Sequence, residues 1–287
     1  MMDTGNEVFA RNNVNVFGTG ETPMLFAHGF GCDQNMWRFV TPGFEDRYRI
    51  VLLDYVGHGK SDVSAYDPER YADLNGYALD VLDVCHALDL RDVVLVGHSV
   101  GAIICMLAAV NESERFRSLI MVSPSPRYID DEPDYIGGFS RREIEALLEM
   151  METNYVGWAS YLAPQVMLNL ERPGLTEELK RSFCSTDPEI AKQFARATFL
   201  SDKRDDLAEL RVPTLVLQCS EDVIAPAEVG RYVAEHVPGS TLRMLSAKGH
   251  CPHMSDPFDT IDAMKEFLHQ QEKTRGEADP GRAAARS

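Results

Sequence analysis

The chain has no apolar run long enough to cross a bilayer. The longest, Ala102 to Val110, falls far short of the roughly 20 residues that a spanning helix needs. Its start, MMDTGNEVFARNN, lacks the apolar stretch of a secretory signal. Together these absences predict a cytoplasmic protein with no membrane partner. Positive charge is also scarce: 28 Lys and Arg face 45 Asp and Glu, a formal net charge of −17. A chain this acidic repels phosphate backbones, which argues against nucleic acid as a partner. There are only six cysteines, Cys32, Cys85, Cys105, Cys184, Cys219 and Cys251, scattered mostly through apolar segments, and they read as reduced thiols acting as small hydrophobes. No dinucleotide fingerprint occurs, and Asp54 to Ser61 resembles a phosphate loop only in outline, because its glycines are two apart. His250, Cys251 and His253 are too crowded for a metal site and have no second cluster to complete one. Neither cofactor nor metal is expected.

What is present is a recurrent alternation. Short runs rich in Val, Leu and Ile fall at 23–29, 48–55, 92–99, 117–125, 213–220 and 241–249, with helical patterns between them. Runs without polar alternation suit parallel strands covered on both faces, so the prediction is an α/β fold with a mostly parallel sheet and helices on both sides. Val81, Val84, Cys85 and Leu88 mark one apolar helix face; Ile261, Met264, Phe267 and Leu268 mark another, which Asp256-Pro257 opens. Between about 133 and 200 the rhythm breaks into four successive helical patterns. Ser140 and Glu143 form a capping box for the first, and Asp187-Pro188 opens the last. Their apolar stripes need a surface to cover, and the carboxyl edge of the sheet supplies it. The expected organisation is a core in two parts, 1–132 and 201–271, a helical lid at 133–200, and a disordered tail at 272–287, where Gly, Pro and mixed charge replace aromatic residues.

The residues that carry chemistry sit at strand ends. Gly97-His98-Ser99-Val100-Gly101 matches G-x-S-x-G, a pattern that chance alone places in about one chain in ten of this length. Here it follows one apolar strand and precedes the apolar helix Ala102 to Val110, the setting in which a strained turn presents a nucleophile. A serine needs a base to remove its proton and a third group to orient that base. Asp222 follows the strand Pro213 to Gln218, and His250 follows the strand Thr241 to Ser246. Glu221 competes for the acid role. His98 and His253 compete with His250, but neither ends a strand; packing explains the first and solvent exposure the second. Oxyanion stabilisation requires two fixed N–H donors, assigned to Val100 and, from the loop His28-Gly29-Phe30-Gly31, to Phe30.

The segments HGFGCDQNMWR (28–38), GHSVGA (97–102), SPSPRYIDDEPDYIGGF (123–139), TNYVGWASYLAP (153–164) and FLSDKRDDL (199–207) together resemble the RsbQ-like α/β-hydrolases, bacterial stress-response regulators. They are also similar to the plant karrikin and strigolactone receptors. The resemblance runs from about Asn6 to Leu268. It implies an α/β-hydrolase fold with a four-helix lid over a hydrophobic cavity, and carries the nucleophile, acid and base to Ser99, Asp222 and His250. It further implies Phe30, Tyr128, Phe139, Trp158, Leu162, Phe194 and Phe199 as cavity-lining side chains. Position 162 is Leu where the plant receptors commonly have an aromatic residue.

Two functions follow as expectations. One is a serine hydrolase cleaving a small hydrophobic ester or lactone through an acyl-enzyme. The other is a slow or non-turnover receptor of the same fold that signals through its lid; in RsbQ-like proteins the partner is a sensor-domain phosphatase. Arg141, Arg142, Glu145, Glu149, Glu177, Glu178 and Lys180 are the expected outer-face residues of the lid. Dehalogenase and epoxide hydrolase chemistry is disfavoured, because those relatives place Asp where this chain has Ser99.

Overall fold

The computed structural model describes residues 4–278. Helix α1 (Thr4–Arg11) leads into strands β1 (Asn15–Phe17), β2 (Thr22–Ala27) and β3 (Tyr48–Leu52). Helix α2 (Leu74–Ala87), strand β4 (Val93–His98), helix α3 (Val100–Asn111) and strand β5 (Phe116–Val122) follow. Four consecutive helices then intervene: α4 (Arg141–Thr153), α5 (Tyr155–Met167), α6 (Pro173–Ser185) and α7 (Pro188–Phe199). Strand β6 (Thr214–Glu221), helix α8 (Ala227–His236), strand β7 (Thr241–Lys248) and helices α9 (Pro252–Ser255) and α10 (Pro257–Ala278) complete the described residues.

The seven strands form one sheet in the order β1-β3-β2-β4-β5-β6-β7, parallel except for β1. All six residues of β4 are buried, which explains the absence of polar alternation in its sequence. Its side chains divide between two cores: Val94 and Val96 point into one, Val93 and Leu95 into the other. The chain leaves β2 towards β3 on one side and returns to place β4 on the other. In an open α/β sheet such a reversal leaves a crevice beyond the carboxyl ends of the two strands. The register pairs Ala27 with Gly97, so the loop after β2 and the turn after β4 emerge side by side at that crevice.

The local signals of the inserted helices act as the sequence suggests. Ser140 and Glu143 close a reciprocal capping box on α4, and the Asp187 carboxylate accepts the N–H groups of Glu189 and Ile190 at the start of α7. Strand β1 and helix α1 were not anticipated. All three residues of β1 are exposed, so it carries no burial pattern. The anticipated tail also needs correction, because α10 continues through Ala278. Arg275 bonds Asp92 at 2.7 Å and Glu272 meets Arg47 at 3.2 Å, contacts that composition does not reveal. The remainder of that expectation, 279–287, lies outside the described residues.

Helix α1 is anchored through Asp80, which is fully buried on α2. Its carboxylate accepts from Arg70 at 2.7 Å, from Tyr71 Oη at 3.0 Å and from Asn12 Nδ2 at 3.2 Å, with Arg11 at 3.4 Å. Removing it strands the buried donors of Asn12 and Tyr71 and unpairs the half-buried Arg70, so Asp80→Ala is expected to cost about 3 kcal/mol of stability. Urea denaturation of the two proteins checks this; a loss below about 0.5 kcal/mol would mean that the network contributes little.

Candidate active site

Ser99 sits between the end of β4 and the start of α3 with φ 55° and ψ −125°, a conformation rare for a residue with a Cβ. Its neighbours make room for it. A Cβ at Gly97 would lie 2.4 Å from the carbonyl oxygen of Gly101, and one at Gly101 would lie 2.4 Å from that of His28. The Ser99 N–H donates to the Val122 carbonyl at 2.8 Å, tying the turn to β5.

The three residues expected at strand ends come together. Ser99 Oγ lies 2.7 Å from His250 Nε2, and His250 Nδ1 lies 2.7 Å from Asp222 Oδ2. Asp222 Oδ1 accepts the N–H groups of Ile224 and Ala225 at 2.8 and 3.0 Å. With the carboxylate able only to accept, His250 carries its proton on Nδ1 and offers the Nε2 lone pair to the Ser99 hydroxyl. Glu221 is not placed for this role: it points to solvent and pairs with Lys248 at 2.8 Å.

Val100 is the first residue of α3, where the helix leaves N–H groups without helical acceptors. A Cβ at Gly29 would approach Ser99 Cβ at 3.4 Å, so the loop bearing Phe30 runs alongside the serine. The helical insertion closes over that loop. Ser182 Oγ on α6 donates to the Gly31 carbonyl at 2.7 Å, and only a glycine at 31 (φ 64°) leaves space for the Phe183 ring. At the end of α5 the Val166 carbonyl accepts the His250 N–H at 2.7 Å. That carbonyl lies in the last helical turn, where no helical donor remains for it.

The narrow cavity above Ser99 is lined chiefly by Phe30, Tyr128, Leu162, Val166, Leu179, Phe183, Phe199 and Ile224, with Ser99 and His250 among its lining residues. An alpha/beta hydrolase family model matches residues 24–263. The chain belongs to the α/β-hydrolase family. Among relatives of this α/β-hydrolase, "Strigolactone esterase D14" of Arabidopsis thaliana is 39% identical, over 89% of this chain and 96% of the relative. "Karrikin insensitive 2 receptor CA" of Petunia hybrida is 34% identical, over 90% and 96%. The solved structure of a hydrolase from Oleispira antarctica is 45% identical, with a TM-score of 0.91 over 92% of this chain and 97% of that one.

Several side chains of this α/β-hydrolase fall elsewhere than the resemblance implied. Phe30, Tyr128, Leu162 and Phe199 line the cavity, but Phe139, Trp158 and Phe194 do not. Trp158 forms a second layer, edge-on to Phe30 at 5.9 Å and packed on Phe183 at 5.2 Å. Phe194 is fully buried behind Phe30 against Tyr77 and His58, because the apolar face of α7 packs on the aromatic cluster around α2. Phe139 lines a separate outer groove between α4 and α5, which shares Leu162 and Ile224 with the cavity. Phe183, Val166, Leu179 and Ile224 were missed, since nothing in their local sequence tells an inward apolar residue from a packed one. On the outer face, Arg141, Arg142, Glu145, Glu149 and Glu177 are exposed and Lys180 half-buried. Glu178 is the exception: it forms a salt bridge with Arg38 at 2.7 Å and fastens α6 to the core. Among the described residues no helix is long and apolar enough to cross a membrane.

The histidines next to the site are buried. His98 Nε2 donates to the His250 carbonyl at 2.7 Å, a positioning contact that sequence reasoning treated as mere packing. His253 is not solvent-exposed as expected but fully buried between Trp37 and His98. The ligand atoms of His98, Cys251 and His253 lie within 4.8 Å of one another, while His250, the remaining candidate ligand, is committed to Ser99 and Asp222. Burial, reinforced by neighbouring imidazoles, pushes the pKa of His58 and His253 down to about 3 and that of His98 well below the ordinary value. Unfolding lets these rings take up protons near pH 6.5, where the fold holds them neutral. Stability is therefore lost as pH falls through about 6.5 towards 3, and at pH 5 His58 and His253 together cost about 4 kcal/mol. Urea midpoints at pH 7.5 and pH 5 test this; coincident midpoints would refute it.

Proposed function

We propose that this α/β-hydrolase cleaves a small hydrophobic ester or lactone through an acyl-enzyme on Ser99. The observation that supports this reading most directly is the relay of 2.7 Å contacts from Ser99 through His250 to Asp222. His250 takes the Ser99 proton as Oγ attacks the carbonyl carbon, and Asp222 stabilises the imidazolium that results. The N–H groups of Phe30 and Val100 receive the oxyanion. His250 then returns the proton to the departing oxygen, and a water repeats the sequence to release the acid. A narrow cavity lined mostly by apolar side chains offers a ligand few polar partners beyond the reacting atoms, which favours small hydrophobic acyl or lactone groups.

Ser99→Ala is expected to lower kcat on p-nitrophenyl acetate by about 10⁴-fold or more with little change in Tm. Asp222→Asn is expected to lose at least about 10²-fold, and Glu221→Gln less than about threefold. A Ser99→Ala enzyme within tenfold of wild type would end the assignment, as would a reversal of the two acid phenotypes.

The wider role proposed is RsbQ-like stress signalling in the cytoplasm, with hydrolysis feeding a sensor-domain phosphatase. A second reading is favoured by the relatives, one of which bears a receptor name and another an esterase name. Under it the chain binds or slowly cleaves its ligand and signals through the exposed charges of α4 and α6. Turnover separates the two. An ordinary esterase is expected to exceed about 1 per second on acetyl esters and to prefer them at least about tenfold over palmitoyl esters. Turnover far below that value, with tight ligand binding, would select the receptor.

A further inference from the structure

The mechanism above leaves one hydroxyl of the cavity unused. The Tyr128 hydroxyl lies 3.3 Å from Ser99 Oγ and is buried, on the segment between β5 and α4. Burial, aided by the Asp222 charge and only partly offset by the Ser99 contact, pushes the phenol up to about 12. It therefore keeps its proton over the whole working range. Because the Ser99 hydroxyl gives its hydrogen to His250, Tyr128 must be the donor towards Oγ. A hydrogen bond that occupies a lone pair of the nucleophile does nothing to activate it, so the contact calls for another purpose.

That purpose emerges when Oγ attacks. Oγ keeps two lone pairs, since the pair of its O–H bond replaces the one spent on the new Oγ–carbon bond, but that bond draws electron density from Oγ and makes it a poorer acceptor for the buried Tyr128 O–H, which then stands beside the reacting carbon with a better acceptor forming nearby. In the mechanism proposed above the carbonyl oxygen is taken up by the N–H groups of Phe30 and Val100. The remaining atom that gains negative charge is the oxygen of the departing group. We propose that the Tyr128 hydroxyl donates a hydrogen bond to the leaving-group oxygen, making Tyr128 a catalytic residue for esters and lactones that release a basic alkoxide. The inference rests on Ser99 being the nucleophile. When the carbonyl carbon–oxygen bond breaks, its electron pair stays on the departing oxygen, the His250 Nε2 proton neutralises it, and Tyr128 retains its own proton.

The phenol is held for such a task. The Tyr128 carbonyl accepts the Phe139 N–H at 3.2 Å, and its ring packs edge-on to Phe199 at 5.1 Å. Next to it, Arg127 pairs with Asp202 and donates to the Ile129 carbonyl at 2.8 Å, while Tyr135 Oη donates to the Arg127 carbonyl at 2.6 Å. A donor fixed by such supports loses little freedom when the reaction needs it.

The test is the dependence of kcat/KM on the leaving group. Tyr128→Phe is expected to lose about 10²-fold on ethyl acetate but less than about tenfold on p-nitrophenyl acetate, whose leaving group needs little help. Equal losses on both esters would overturn the proposal, since a packing defect or a third oxyanion donor slows every ester alike. Replacing Tyr128 by 3-fluorotyrosine keeps the ring and acidifies the phenol, and so decides the matter even if the phenylalanine variant folds poorly. A fewfold gain on ethyl acetate relative to p-nitrophenyl acetate supports the role, and an unchanged ratio overturns it. Ser99→Ala assayed in parallel separates the two levels: activity surviving there removes the nucleophile reading itself.

Discussion

Holding Ser99 at positive φ requires a frame stiffer than the turn it strains. A residue in that region costs about 1–3 kcal/mol and persists only where its surroundings leave it no choice. The frame here is the centre of the sheet, where β4 is buried along its whole length and the Ser99 N–H is tied to β5. Gly97 and Gly101 are as necessary as the serine, because any side chain there would strike backbone that cannot move. The location of the cavity, the approach of the Phe30 loop and the direction of α3 all follow from that one turn.

The second feature of the design is its layering. Phe30, Phe183 and Phe199 face the cavity, while Trp158 and Phe194 stand behind them and fix where they sit. The apolar surroundings that strengthen polar contacts near Ser99 come from the first layer, and the rigidity from the second. The buried neutral imidazoles of His98 and His253 belong to the same scheme, supplying shape and one hydrogen bond without adding charge.

Much of this was legible from the residues. Five of the six parallel strands announced themselves as apolar runs without alternation, while β7 at the sheet edge is mostly exposed, and two of the inserted helices announced themselves as capping signals followed by stripes. Ser99, Asp222 and His250 were readable because each ends a strand, and strand ends of a parallel sheet converge. Strand β1 was not readable, since three exposed residues carry no periodicity, and the end of α10 was hidden because its ion pairs join residues distant in sequence. For the aromatic residues, sequence establishes that a side chain is buried but not which of two apolar surroundings receives it. Phe199 and Phe194 stand on the same helix, yet one lines the cavity and the other the core behind it. The partner of Glu178 was equally out of reach, being an arginine 140 positions away.

The bond from the His250 N–H to the Val166 carbonyl has a wider consequence. The residue whose imidazole faces Ser99 is held in part by a helix end that does not belong to the sheet, so the placement of α5 contributes to the alignment of His250. A substitution that loosened the end of α5 would therefore be felt at Ser99 without touching any residue of the sheet.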